Sequence, residues 1–150
     1  MLFYGDQHGC GKTSIAKVIS NTTKYKFIQL NAVTAGVADI KQAVEESKNS
    51  LFNPSGKCIL FIDEIHRFNK LQQDALLPFV ENGTIILIGA TTENPYFSVN
   101  KALISRSMVV KLTPLTYKYI FKILKNALAN KEGLGNYKID VEDSTLEAIA

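Results

Sequence analysis

A chain of 150 residues, 46% hydrophobic and 21% charged, carries enough apolar material for one core and a small appendage, which excludes two full domains and a disordered chain. The formal net charge of +3 is too small to identify a partner, and no apolar run approaches the roughly 20 residues that a membrane span needs. The N-terminus has no basic region followed by a cleavable apolar stretch, and the two cysteines, Cys10 in a glycine loop and Cys58 at the head of an apolar run, have no evident use as a disulfide. The expectation is a soluble, intracellular, cytoplasmic protein with reduced thiols.

In chain order, short β-rich runs alternate with helical patterns. Met1–Tyr4, Phe27–Leu30, Ile59–Ile62, Ile85–Ile88 and Met108–Leu112 read as strands, and most of them are apolar without alternation. Such runs belong to strands covered on both faces, so the fold class is α/β with a parallel, doubly wound five-stranded sheet flanked by helices. A first helix from Lys12 to about Ser20 turns Ile15, Val18 and Ile19 inward, and a second from about Val37 to Ser47 repeats the pattern with Val37, Ile40 and Val44. Asn69 with Gln72 three residues on predicts an N-cap and capping box for a third helix running toward Phe79, kinked or shortened by Pro78. Asn100 caps a short helix through Ser105.

Beyond Pro114 the composition turns helical. Tyr117, Ile120, Phe121, Leu124 and Leu128 form an apolar stripe, with Lys118, Lys122 and Lys125 on another face, until Gly133 and Gly135 break the helix. Ser144 is the expected cap of a last helix. The domain reading is a core over residues 1–114 and the start of a small helical lid over 115–150. No Asp or Glu lies between Glu93 and Glu132, where seven basic residues fall, either a solvated face or an attraction for a polyanion or an acidic surface.

The strongest chemical signal is Gly9-Cys10-Gly11-Lys12-Thr13-Ser14 between a short strand and an amphipathic helix. Glycines let backbone N–H groups turn toward phosphates, and the helix N-terminus adds the positive end of its dipole. Lys12 reaches the β- and γ-phosphates of a nucleotide, and the Thr13 hydroxyl is a hard oxygen ligand for Mg²⁺. Ser14 packs the helix start. One residue disagrees with a strict phosphate loop: Asp6 stands where the first glycine belongs, with Gly5 one place early. A carboxylate about 6 Å from a phosphate charge costs on the order of 3 kcal/mol at an effective dielectric near 20, unless His8 is protonated or Asp6 points outward.

The second signal is Cys58-Ile59-Leu60-Phe61-Ile62-Asp63-Glu64, an apolar strand ending in two acids, the Walker B pattern of a phosphate-loop enzyme. Asp63 holds Mg²⁺ through water there and Glu64 orients the attacking water, because phosphoryl transfer depends on positioning and charge neutralisation. The third is Ile85–Gly89 opening into Ala90-Thr91-Thr92-Glu93-Asn94-Pro95 at a strand end, where Thr91, Thr92 and Asn94 either sense a γ-phosphate or form a turn before Pro95. Arg106 by itself is an ordinary exposed arginine.

Taken together, Asp63 to Lys70 with Gln72-Gln73-Asp74, then Gly89 to Pro95, and Asn31 to Val37, resemble the replication-associated recombination protein A family (RarA or MgsA, related to the WRN-interacting protein) of AAA+ phosphate-loop ATPases. The resemblance runs from Met1 to about Leu115. It implies a DNA-dependent ATPase using ATP and Mg²⁺, clamp-loader-like, forming a homo-oligomeric ring and acting on single-stranded DNA ends or stalled forks, nucleoid-associated and with single-strand binding protein among its partners. It further implies that Thr92 is sensor 1 and that Arg106, after Ser105, is a finger serving a neighbouring subunit in trans. It gives no role to His66 or Arg67.

The sequence departs from that family in having Asp6 and Gln7 for its glycine and proline, in opening at the phosphate-loop strand, and in closing before the lid's sensor 2 arginine and the C-terminal oligomerisation region. Two readings therefore stand: an ATPase, and a nucleotide-binding or assembly module of the same family in which Asp6 and the shortened ends abolish hydrolysis. A small-molecule kinase lacks an acceptor site and an arginine-rich lid.

Overall fold

The computed structural model describes all residues except 6–8, 49–52, 54 and 55, and it resolves into two compact units, Met1–Thr113 and Pro114–Ala150. In the first, β1 (Leu2–Tyr4), β2 (Lys26–Asn31), β3 (Cys58–Asp63), β4 (Ile86–Thr91) and β5 (Val109–Lys111) form one sheet in the order β2-β3-β4-β1-β5. Every pairing is parallel. Parallel neighbours need crossovers, which α1 (Lys12–Thr23), α2 (Val37–Lys48), α3 (Lys70–Asp74), α4 (Leu77–Glu81), α5 (Pro95–Ser98) and α6 (Lys101–Ile104) supply.

The unalternated apolar runs are explained by two cores, one on each face of the sheet. Leu2, Leu60, Ile62 and Leu87 point to one side with Ile40, Val44, Leu76 and Leu103, while Phe3, Ile59, Phe61, Ile88 and Ala90 point to the other, against Ala16, Ile15 and Ile19 of α1. Phe61 stacks on Phe27 with ring centroids 5.9 Å apart. Burial pushes the Cys58 thiol above its ordinary range, as for an inert thiol inside a core, and both cysteines are buried outside any disulfide.

The structure corrects several sequence expectations. Val18 is 62% exposed, because α1 approaches the sheet through Ala16 and Ser20, one turn apart, with Ile15 and Ile19 at their sides. The edge strand β2 is only half-buried. The strand expected to end at Ile88 continues to Thr91, because β1 pairs Phe3 with Ala90 and Tyr4 with Thr91. The third helix is two: α3 stops at Asp74 and α4 begins at Leu77 with Pro78 in its first turn, where a missing N–H costs nothing.

The Asn69 cap is present with both reciprocal bonds: Gln72 N donates to Asn69 Oδ1 at 2.9 Å and Asn69 N to Gln72 Oε1 at 2.8 Å. Asn69→Ala is expected to cost about 1 kcal/mol, and hence to lower the melting temperature by roughly 2–4 °C in a circular dichroism melt. An unchanged melt would show that the box contributes nothing in this context. Buried Gln73 then ties α3 to the next crossover, donating to Phe68 O and Ser98 O at 2.9 and 3.2 Å and accepting from Asn100 N at 2.6 Å.

In the second unit, α7 (Tyr117–Ala129) lies against α8 (Asp143–Ile149), in which Leu146 is buried. The cap of α8 is Glu142 rather than Ser144, whose hydroxyl instead donates to Glu142 Oε2 at 3.2 Å. Lys125 pairs with Asp143 at 2.6 Å, so one of the seven basic residues in the acid-free stretch is already neutralised within the unit. No helix among the described residues is long and apolar enough to cross a membrane.

Candidate functional site

In a parallel sheet all strand C-termini lie along one edge, so the segments leaving β1, β3 and β4 converge there. The segment leaving β1 is the glycine loop. Gly9 and Gly11 have φ of 86° and 85°, left-handed values that glycine adopts without the Cβ penalty, and with them the loop turns into α1. Gly11 is the N-cap of α1 and offers no side chain, so no side-chain cap competes for the helix's first N–H groups. Lys12, also buried, sends its Nζ back to Gly5 O at 3.3 Å.

Around this helix end lies a pocket of about 210 Å³ lined by Gly9, Gly11, Lys12, Thr13, Ser14, Asp63 and Glu64. Two motifs about 50 residues apart in sequence thus meet at one cavity. Asp63, the last residue of β3, accepts from Glu64 N through Oδ1 at 3.1 Å. Glu64 then takes a left-handed backbone, φ 54° and ψ 42°, and caps a single 3₁₀ turn over Ile65–Arg67. A non-glycine residue held there stores on the order of 1–3 kcal/mol of strain, a cost typical of functional positions.

The pocket's donor set suits a magnesium nucleotide. Backbone N–H groups at a helix end and a lysine match phosphate, and the Thr13 hydroxyl with the Asp63 carboxylate are hard oxygen ligands matched to Mg²⁺. Among the described residues no cluster of three or more His, Cys, Asp or Glu side chains offers a competing metal site.

The other expected site residues lie further out. Cys10 is buried and Asn94 and Arg106 are exposed, and none of the three lines the pocket. Asn94 Oδ1 accepts from Tyr96 N at 3.1 Å and so caps α5. Arg106 is paired with Glu81 at 2.7 Å. Thr92 reaches the site indirectly, its hydroxyl donating to Glu64 Oε2 at 3.5 Å, the long end of hydrogen-bond range. Asp6, Gln7 and His8, on which the departure from a strict phosphate loop turned, lie outside the described residues.

Two residues at the site were given no role by sequence reasoning. Gly5 follows β1 at a point where an added Cβ would stand 2.6 Å from Leu112 O of the neighbouring chain segment. Its position one place ahead of the expected loop glycine was the available signal. The ring of His66 touches Glu64, Thr91 and Glu93, residues of two strand ends that no spacing rule connects.

Known proteins resemble this chain along most of its length. The model of the ATPase family associated with various cellular activities (AAA) matches residues 1–115. Over the whole chain, the sequence is 43% identical to "Replication-associated recombination protein A" of Haemophilus influenzae, of which it spans 33%. Over 99% of the chain it is 44% identical to "ATPase WRNIP1" of Dictyostelium discoideum, spanning 17% of that protein. The Thermotoga maritima RuvB Holliday junction branch migration motor superposes on 99% of the chain with a TM-score of 0.75 and 26% identity, the chain spanning 47% of it. The chain thus spans about a third or less of these curated relatives.

Proposed function

Since the chain belongs to the AAA family of ATPases, in the replication-associated recombination protein A group, we propose that its Met1–Thr113 unit binds ATP with Mg²⁺ and hydrolyses it. The observation that carries this reading is the single pocket on which the glycine loop, Lys12, Thr13, Asp63 and Glu64 converge. Backbone N–H groups of the loop and Lys12 hold the phosphates. When bound, Mg²⁺ neutralises charge on the phosphate oxygens, with the Thr13 hydroxyl and, through water, the Asp63 carboxylate to hold it. Glu64 orients and polarises the attacking water, and Thr92 reports on the γ-phosphate through its bond to Glu64.

Arg106 serves the pocket of a second copy. Its pairing with Glu81 is solvent-exposed, and such pairs are worth about 0–1 kcal/mol, so exchanging Glu81 for a phosphate costs little. We extend the proposal to hydrolysis that drives work on single-stranded DNA ends or stalled forks from a homo-oligomeric ring, with replication proteins such as single-strand binding protein as partners; the relatives' names support its setting in replication and recombination. Pro114–Ala150 belongs to a helical lid in this reading.

Calorimetric titration with Mg·ATP tests the site. The parent chain is expected to bind, and Lys12→Ala to bind roughly 10–100-fold more weakly, the worth of one charge-assisted contact. Hydrolysis by the parent, measured with and without single-stranded DNA, is expected to rise with DNA. No heat at millimolar ATP overturns the nucleotide reading in favour of an assembly module, and recovery of binding in Asp6→Gly assigns that loss to the loop.

A further inference from the structure

We propose that His66 is a positioning residue for Glu64, holding one oxygen of the water-activating carboxylate through Nδ1–H; this rests on the role given to Glu64 under the proposed function. The imidazole is nearly enclosed, with 5% of its side chain exposed. Nδ1 lies 3.3 Å from Glu64 Oε2 and 2.9 Å from Thr91 Oγ1. Nε2 faces Glu93 Oε1 at 3.7 Å, beyond hydrogen-bond reach. Carried on the 3₁₀ turn after β3, the ring thus links Glu64, which caps that turn, to the end of β4.

The contacts of Nδ1 with Thr91 and Glu64 together favour a proton on Nδ1. Thr91, fully buried, accepts from Glu93 N at 3.0 Å and gives its own hydroxyl proton to Glu93 O at 3.4 Å. Given to Glu93 O, the hydroxyl proton leaves the oxygen a lone pair for a donor on Nδ1, and the Glu64 carboxylate favours that tautomer. A bare Nδ1 lone pair would also face the Glu64 carboxylate at 3.3 Å, two electron-rich atoms in a confined space. With the proton on Nδ1, one N–H is shared between Thr91 Oγ1 and Glu64 Oε2, and every contact is attractive.

The consequence concerns where Glu64 points. Its backbone is in the left-handed region, and Thr92 contributes only the 3.5 Å contact to the carboxylate. His66 supplies the closer anchor. With Oε2 held from two sides, Oε1, which has no partner among the described residues, is the oxygen left for water. Displacing a reacting group by about 1 Å costs on the order of 100-fold in rate, so the anchor acts on turnover rather than on ATP affinity.

Two measurements test this. Nitrogen-15 spectra of the imidazoles, with His8→Gln to assign the chain's two histidines, are expected at pH 8 to show His66 as the Nδ1–H form and to shift in Glu64→Gln. In steady-state assays His66→Leu is expected to lower kcat roughly 10–100-fold, with KM and the calorimetric Kd for ATP within about twofold of the parent. His66→Asn, whose amide N–H stands near Nδ1, is expected to recover most of the rate, and His66→Leu is expected to have no further effect in a Glu64→Gln background. An Nε2–H form, an equal loss in the Glu64→Gln background, or a loss traced to ATP affinity overturns the proposal. Should His66→Leu not fold, His66→Asn and the spectra decide it. Should the parent bind ATP without turning it over, the reading of Glu64 fails, while the spectra still decide whether the bond exists.

Discussion

Glu64→Gln is expected to lower ATP turnover by about 10²–10⁴-fold, the range for losing a positioned general base. Binding is expected to stay within about threefold, because this side chain acts on water and the phosphates are held by other groups. Those other groups, the loop amides and Lys12, sit across the same pocket and are untouched by the change. Glutamine keeps the shape of the side chain, an oxygen for the Nδ1–H of His66, and the left-handed backbone at no added strain. What it loses is the charge that polarises water. Single-turnover hydrolysis alongside an ATP titration separates the two effects. A variant that turns over ATP at the parent's rate would move water activation elsewhere and remove the pocket's assignment.

Gly5→Ala is expected to destabilise the first unit by about 3 kcal/mol, the upper end for overpacking, a fall of roughly 6–12 °C in melting temperature. The new methyl would stand 2.6 Å from Leu112 O and 3.5 Å from its carbonyl carbon, both backbone atoms. They cannot rotate away as a side chain would, and Leu112 N is itself bonded to Tyr4 O at 2.7 Å, locking the segment against the strand. Relief requires β1 and β5 to separate. Because Gly5 O accepts from Lys12 Nζ, the same shift moves the lysine's anchor, so ATP affinity is expected to fall in parallel. Melting the variant beside the parent checks this, and a change under about 2 °C would mean that the sheet yields more readily than its backbone bonds imply.

The architecture was legible because burial on both faces leaves a plain mark. Cys58 to Ile62 could be an uninterrupted apolar run only if both sides of β3 are covered, and they are. The candidate pocket was legible for a related reason: Gly9, Gly11 and Lys12 are residues whose backbone freedom or charge has few other uses side by side, and they meet Asp63 and Glu64 at one cavity. Val18 misled because Ile15, Val18 and Ile19 fit one helical stripe, whereas the face of α1 that meets the sheet is centred on Lys12, Ala16 and Ser20 and leaves Val18 turned away. Pro78 was read as an ending when its missing N–H suits a beginning equally well. For Asn94 the strand-end position left a ligand and a turn before Pro95 both open, and its oxygen accepts from Tyr96 N as the turn requires. The link from His66 to Thr91 left no trace, since it joins two strand ends brought together only by the pairing of β3 with β4.

The strand order also sets the sequence in which the molecule can be made. Leu2–Tyr4 pair with Gly89–Thr91 on one side and Val109–Lys111 on the other, so β1 is completed only by partners some 87 and 107 residues later. Strands β2, β3 and β4 are neighbours both in sequence and in the sheet, and can assemble as the chain emerges. The phosphate loop precedes them all and is set after them. Pairings of such long sequence separation carry a large loop-closure cost and slow folding. During that interval the apolar flank of β4 stands open as an unpaired edge, the kind of surface on which nascent chains associate wrongly and for which chaperones compete.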